Sequence, residues 1–187
     1  TTIQDRESND MVLKSARGIL IFAKWLLLFG IAVITVMLPA LPFLTDQMVT
    51  AMAKTFVTPP GTEIVWMLAG ILVLGAVILL LTLFAVNRLR RIVDSVAEGN
   101  PFTRINGTRL RGMGLAVFAI QVVTFFGSLL AAAMLTTLGE TKPGQDLQIS
   151  IDGGLSLSGI LLVLLLIILA RVFDRGAEMR EELEGTI

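Results

Sequence analysis

The sequence predicts an all-α protein, a four-helix transmembrane bundle with short extracytoplasmic loops and helical cytoplasmic extensions. Three observations predict it. Hydrophobic residues make up 55% of the 187 and charged residues 16%, against about 45–50% and about 25% in typical globular chains. Four stretches contain no Asp, Glu, Lys or Arg: Trp25 to Thr45 (21 residues), Ile64 to Asn87 (24), Gly112 to Gly139 (28) and Gly153 to Ala170 (18). The basic residues gather on one side of the barrier that those stretches imply.

A helix crossing the hydrocarbon needs about 20 mostly apolar residues, and all four stretches supply them. Helices of a soluble bundle would each carry a polar stripe, whereas these are apolar all round. The expected spans are about 18–43, 63–87, 112–137 and 154–172, in a single domain covering 1–187. A cleaved signal peptide is the other reading of the first span. The three acids among residues 1–17, the length of the apolar run and the lack of a small-residue cleavage site oppose it.

Loop charge sets orientation. With four spans both termini share a side. That side, with the 88–111 loop, holds 13 of the 15 bases. Arg88, Arg90, Arg91, Arg104, Arg109 and Arg111 all lie in this loop. The opposite loops hold only Lys54 and Lys142, with Asp46, Glu63, Glu140, Asp146 and Asp152. Both ends are therefore expected in the cytoplasm.

Pro39 and Pro42 are expected to end or kink the first span. Beyond them, either the chain simply leaves the membrane, or Thr45 caps a short surface helix. Met48, Val49, Met52 and Phe56 would form its apolar face and Pro59-Pro60-Gly61 its end. Gln148 to Ile151 alternates as a short strand does, with 55–58 as a conceivable partner. Span 2 is expected to run on as helix to Glu98 and stop at Gly99, before Pro101. Asn106 or Thr108 then caps the third helix. Span 4 continues into a charged tail, 173–187, where Arg90, Arg91 and Arg111 are expected to meet Glu181, Glu182 and Glu184.

The spans are chemically quiet. With neither Cys nor His, the chain lacks disulfides, thiol chemistry and the commonest base near neutral pH. No carboxylate lies within a span. No catalytic residue, cofactor or metal site is expected, and an enzyme is the least supported reading. Lys24 and Gln121 are the marked polar residues. Lys24 either snorkels to the inner headgroups or pairs with Gln121 inside the bundle. Gly127, Ser128, Ala131 and Ala132, with Gly70 and Gly75, allow close helix packing, within the chain or between copies. Trp25 and Trp66 suit the membrane interfaces.

The candidate interaction surface is cytoplasmic: Arg90, Arg91, Asn100, Pro101, Phe102, Arg109 and Arg111 from the loop, and Phe173, Gly176, Glu181 and Glu182 from the tail. Its arginines suit anionic lipid headgroups or a cytosolic or membrane protein partner, or act only as the topology determinant. No recognition motif suggests direct nucleic-acid binding. The 91–102 run is similar to the first helix of a HAMP signalling linker. That unit needs a second amphipathic helix and an output domain, and another span follows here instead. The leading reading is a non-enzymatic membrane module that binds or tethers a partner. The alternative is a small oligomeric transporter or channel, with Thr82, Gln121, Thr124, Ser128, Ser156 and Ser158 as its polar path.

Two motifs carry a resemblance. One is Gly99-Asn-Pro-Phe-Thr103 with Asn106 and Arg109-Leu-Arg111. The other is Ala170-Arg-Val-Phe-Asp-Arg-Gly176 with Met179-Arg-Glu-Glu182 and the ending Leu183-Glu-Gly-Thr-Ile187. Together, over nearly the whole chain, they resemble a bacterial family of four-span membrane proteins of unknown function, the one numbered 2975. Its tail usually reads F-x-x-G-x-x-L-x-x-E-x-E-L-T-V; Met179 and Gly185 replace two of the usual leucines. The resemblance implies the bacterial inner membrane and suggests a small helix-turn-helix regulator as a neighbour or partner. It implies no activity and no catalytic residues.

Overall fold

The computed structural model describes residues 3–58, 61–140 and 154–184. Four helices account for nearly all of them: α1 (Ile3–Thr55), α2 (Glu63–Ala97), α3 (Arg104–Leu138) and α4 (Leu157–Glu184). Each is long and apolar enough to cross a membrane. The architecture is the all-α, four-helix transmembrane one that composition predicts. The alternating stretch at 148–151 lies outside the described residues.

The first span does not end at its prolines. α1 runs unbroken through Pro39 and Pro42 to Thr55. Thr45 is no cap, because its hydroxyl donates to the Leu41 carbonyl one turn back, at 3.1 Å. A proline inside a helix removes one backbone donor, and transmembrane helices tolerate that where neighbours re-satisfy the freed carbonyls. The expected apolar face of 48–56 exists, but it packs on protein. Phe56 is buried with Ile64 and Leu138, and Met52, Met134 and Leu135 surround them.

The other ends follow sequence signals. α2 stops in a Schellman motif: the Gly99 N–H donates to Val96 and the Asn100 N–H to Ser95, both at 3.1 Å. Gly99 has φ of +76°, a conformation that suits glycine. α3 starts earlier than expected. The Thr103 carbonyl accepts from the Asn106 N–H at 2.9 Å, so Asn106 and Thr108 are inside the helix and not at its cap. Ser156 caps α4, its hydroxyl accepting from the Gly159 N–H at 3.4 Å.

The chain divides into two compact units. The second comprises Phe29–Leu79 and Gln121–Leu155. Here the predicted small residues pack within the chain. A Cβ on Gly70 would lie 2.9 Å from Leu130, and one on Gly127 would lie 3.8 Å from Leu74. The Val57 N–H donates to the Glu140 carbonyl at 3.0 Å, so the 55–58 stretch does find a backbone partner, next to the end of α3. The first unit comprises Thr1–Leu28, Leu80–Ile120 and Ser156–Ile187. Its core is Ile92, Leu110, Met113, Leu166 and Ala170.

Candidate functional site

The charged residues of the first unit stand where α2 ends, α3 begins and α4 leaves its apolar run. The α2–α3 connection is held from inside by Asn106, which is fully buried. Its amide nitrogen donates to the Ser95 hydroxyl at 2.9 Å and to the Pro101 carbonyl at 2.8 Å. Its amide oxygen accepts from Arg109 at 2.8 Å. Arg109 also donates to the Arg91 carbonyl at 3.0 Å, and Ser95 donates to the Asn100 carbonyl at 2.6 Å. Buried polar groups are tolerated when they are satisfied in this way. The short connection is thereby one hydrogen-bonded unit.

Onto it lies the charged end of α4. Phe102 stacks on Phe173, with ring centroids 5.4 Å apart and planes tilted by 47°. Gly176 gives Phe102 its room: a Cβ there would lie 2.6 Å from the ring. Gly107 does the same for α4, with the Asp174 carboxyl carbon 2.9 Å and the Ala170 carbonyl 3.3 Å from where its Cβ would stand. Ala170 and Ala177 are buried in this contact.

Ion pairs frame it. Arg104 and Glu181 form a two-pronged pair at 3.1 and 2.8 Å. Glu181, first through these hydrogen bonds and then through its charge, holds the Arg104 guanidinium above its ordinary pKa. Arg111 pairs with Asp174, and Arg180 donates to the Asn100 side chain at 2.8 Å. Loop and tail are thus complementary, as expected, but through other partners. Arg104 and Asp174 supply the pairs that were not expected, Arg104 with Glu181 and Arg111 with Asp174. Arg90 instead lies 4.0 Å from Asp94, which also pairs with Arg17 at 2.6 Å. The side chain of Glu184 lies outside the described residues.

Of the expected surface residues, Asn100, Phe102, Arg111, Phe173, Gly176 and Glu181 come together in this contact, while Pro101 and Arg109 belong to the hydrogen-bonded connection beneath it. Arg91 and Glu182 remain exposed. Lys24 lines a concavity with Asn87, Arg90, Arg91 and Asp94. Gln121 belongs to the second unit and is buried there. Ser95, Arg104 and Asp174 are the residues that the sequence reading passed over. The signal for Asp174 was present: Leu166, Ala170, Asp174, Ala177 and Glu181 recur at helical spacing, with small residues between larger ones.

The sequence profile described as "Protein of unknown function (DUF2975)" matches residues 45–187, well over half of the chain. The chain belongs to the DUF2975 family. The match takes in spans 2 to 4, the basic loop and the charged tail. It begins at Thr45, so most of the first span lies outside it, and the similarity is narrower than the nearly full-length one expected. No significant match is found among curated proteins or solved structures. This DUF2975 protein is a multi-pass membrane protein of a family without assigned function.

Proposed function

We propose that this DUF2975 protein is a non-enzymatic module of the bacterial inner membrane that binds or tethers a protein partner through its cytoplasmic face. The basic loop between α2 and α3 and the charged end of α4 would form that face, in the orientation that the loop charges favour. One observation carries the reading. Met179 is 65% exposed and Leu183 is 73% exposed, four residues apart on one face of α4. They lie nine and 13 residues beyond Ala170, about 13 to 20 Å along the helix at about 1.5 Å per residue. Lipid tails would not reach that far, and the residues flanking each in sequence, Glu178, Arg180, Glu182 and Glu184, are all charged. An apolar pair displayed on a charged helix is how amphipathic helices present anchors to a groove or to another helix. The arginines and carboxylates around the pair would set partner choice. A small helix-turn-helix regulator is the partner that the family resemblance suggests.

Tagged full-length protein isolated from its native membrane in mild detergent tests this, beside Met179→Lys/Leu183→Lys. The expected result is a protein recovered with the natural chain and lost with the double variant, while helicity and detergent behaviour stay the same. Identical recovery from both would sink the proposal.

A further inference from the structure

The geometry points to a binding site for one anionic phospholipid in the groove between the end of α2 and the start of α3. The groove, about 480 Å³, is lined by Phe84, Asn87, Arg88, Arg91, Ile105 and Arg109, with Thr108 at its side. No carboxylate lines it. The neighbouring concavities each include at least one: Asp174 and Glu178, Glu181, Asp94 and Glu98, or Asp94. The ion pairs of this end engage Arg17, Arg90, Arg104 and Arg111. Among the described residues, Arg88, Arg91 and Arg109 are in none of them.

Two of these arginines are held in place, and the Arg91 side chain is exposed beside them. Arg88 lies over the Phe84 ring, 4.3 Å from its centre, and donates to the Thr108 carbonyl at 3.3 Å. Arg109 is tied to the Arg91 carbonyl and to Asn106. Guanidinium groups fixed this way keep further N–H donors for a phosphate, and less side-chain freedom is lost when it binds. The other walls are apolar: Phe84 is 42% exposed and Ile105 is 63% exposed.

Depth selects the occupant. Asn87 is the last residue of the uncharged 64–87 run. The groove therefore straddles the level where hydrocarbon gives way to headgroups. A free phosphate would use only its basic half. A glycerophospholipid such as phosphatidylglycerol uses both, with its phosphate on the arginines and an acyl chain along Phe84. Juxtamembrane arginines favour anionic lipid in the same sense. The inference goes beyond the partner-binding reading and is read separately, on purified protein with no partner present.

The test counts lipids retained by the full-length chain in mild detergent, by native mass spectrometry, after incubation with equal phosphatidylglycerol and phosphatidylcholine. Wild type is expected to prefer the anionic lipid by about tenfold. R88Q/R91Q is expected to fall near parity, and R88K/R91K to keep part of the preference. R171Q/R175Q, which removes the same charge from the tail, is expected to keep all of it. Arg109 is left intact because it also fastens the loop. Equal retention of both lipids by wild type overturns the site. So does an equal loss in the tail variant, which would mean general surface attraction. Inorganic phosphate raising the thermal midpoint as much as phosphatidylglycerol does would mean a free-anion site and would also overturn it. Should R88Q/R91Q fail to fold, the wild-type preference and its response to phosphate still decide.

Discussion

Asn106 holds the short connection closed because three hydrogen bonds meet on one buried side chain. Removing it leaves the half-buried Ser95 hydroxyl and Pro101 carbonyl without that donor. Asn106→Ala is expected to cost about 2 kcal/mol, measured by SDS-driven unfolding of the purified protein followed by helicity. An Asn106→Asp variant keeps the acceptor for Arg109 and loses the two donors, so it should fall between. Gly176 makes a second case. Gly176→Ala places a Cβ against the Phe102 ring, and overpacking of that kind costs about 1–3 kcal/mol. Combining it with Phe102→Ala should cost less than the two single changes added together; simple additivity would mean the ring and the glycine do not meet. The sequence singled out Phe102, Phe173 and Gly176 but not their arrangement. Composition marks an unusual residue, and only tertiary contact says what it touches. The type of Asn106 and its place before an apolar run suggest a cap, whereas it lies inside α3 and is fully buried. That burial was not legible, since it depends on where α2 ends relative to it.

Helix ends show which local signals survive the tertiary context. Gly99 with Pro101 two residues later marks the end of α2, and the backbone pairs there as the motif requires. Gly99→Ala puts a Cβ into a left-handed conformation, at about 1 kcal/mol. The same unfolding assay reads it, and an unchanged midpoint would mean the turn relaxes. α1 shows the opposite outcome. Pro39 and Pro42 look like terminators, yet the helix passes through both. In lipid, leaving the helix would expose several backbone groups to hydrocarbon, whereas each proline removes only one donor. The penalty for stopping exceeds that for continuing, so a rule drawn from water gives the wrong element boundary. Loop–tail charge pairing was foreseen as a general complementarity. The partners were not, because α4 turns its Ala170–Asp174–Ala177–Glu181 face inward and helical register cannot be read from charge alone.

At the scale of the whole molecule, the asymmetry of charge makes the strongest statement about placement. The chain has no cysteine, so a single introduced thiol reports its own side of the membrane. Val57 and Leu183 are both exposed, at 58% and 73%. A membrane-impermeant maleimide should label Val57→Cys in intact cells and Leu183→Cys only after permeabilisation. The reverse pattern would overturn the orientation, and with it the cytoplasmic reading of the basic end. Four long apolar helices were legible at once, because hydrophobicity sustained over 18 or more residues survives any detail of packing. The division into two compact units was not, since nothing in the helices' composition changes where one unit gives way to the other.

The pairing of Arg104 with Glu181 joins residues 77 positions apart. Synthesis runs at about 5–20 residues per second, so roughly 4 to 15 seconds separate the two as they are made. During that interval Phe102 has neither the Phe173 ring nor the cradle at Gly176. The loop–tail contact therefore closes only after the fourth helix has been delivered. Until then Phe102 and Arg104 stand open to any other helix that presents an aromatic ring beside a carboxylate.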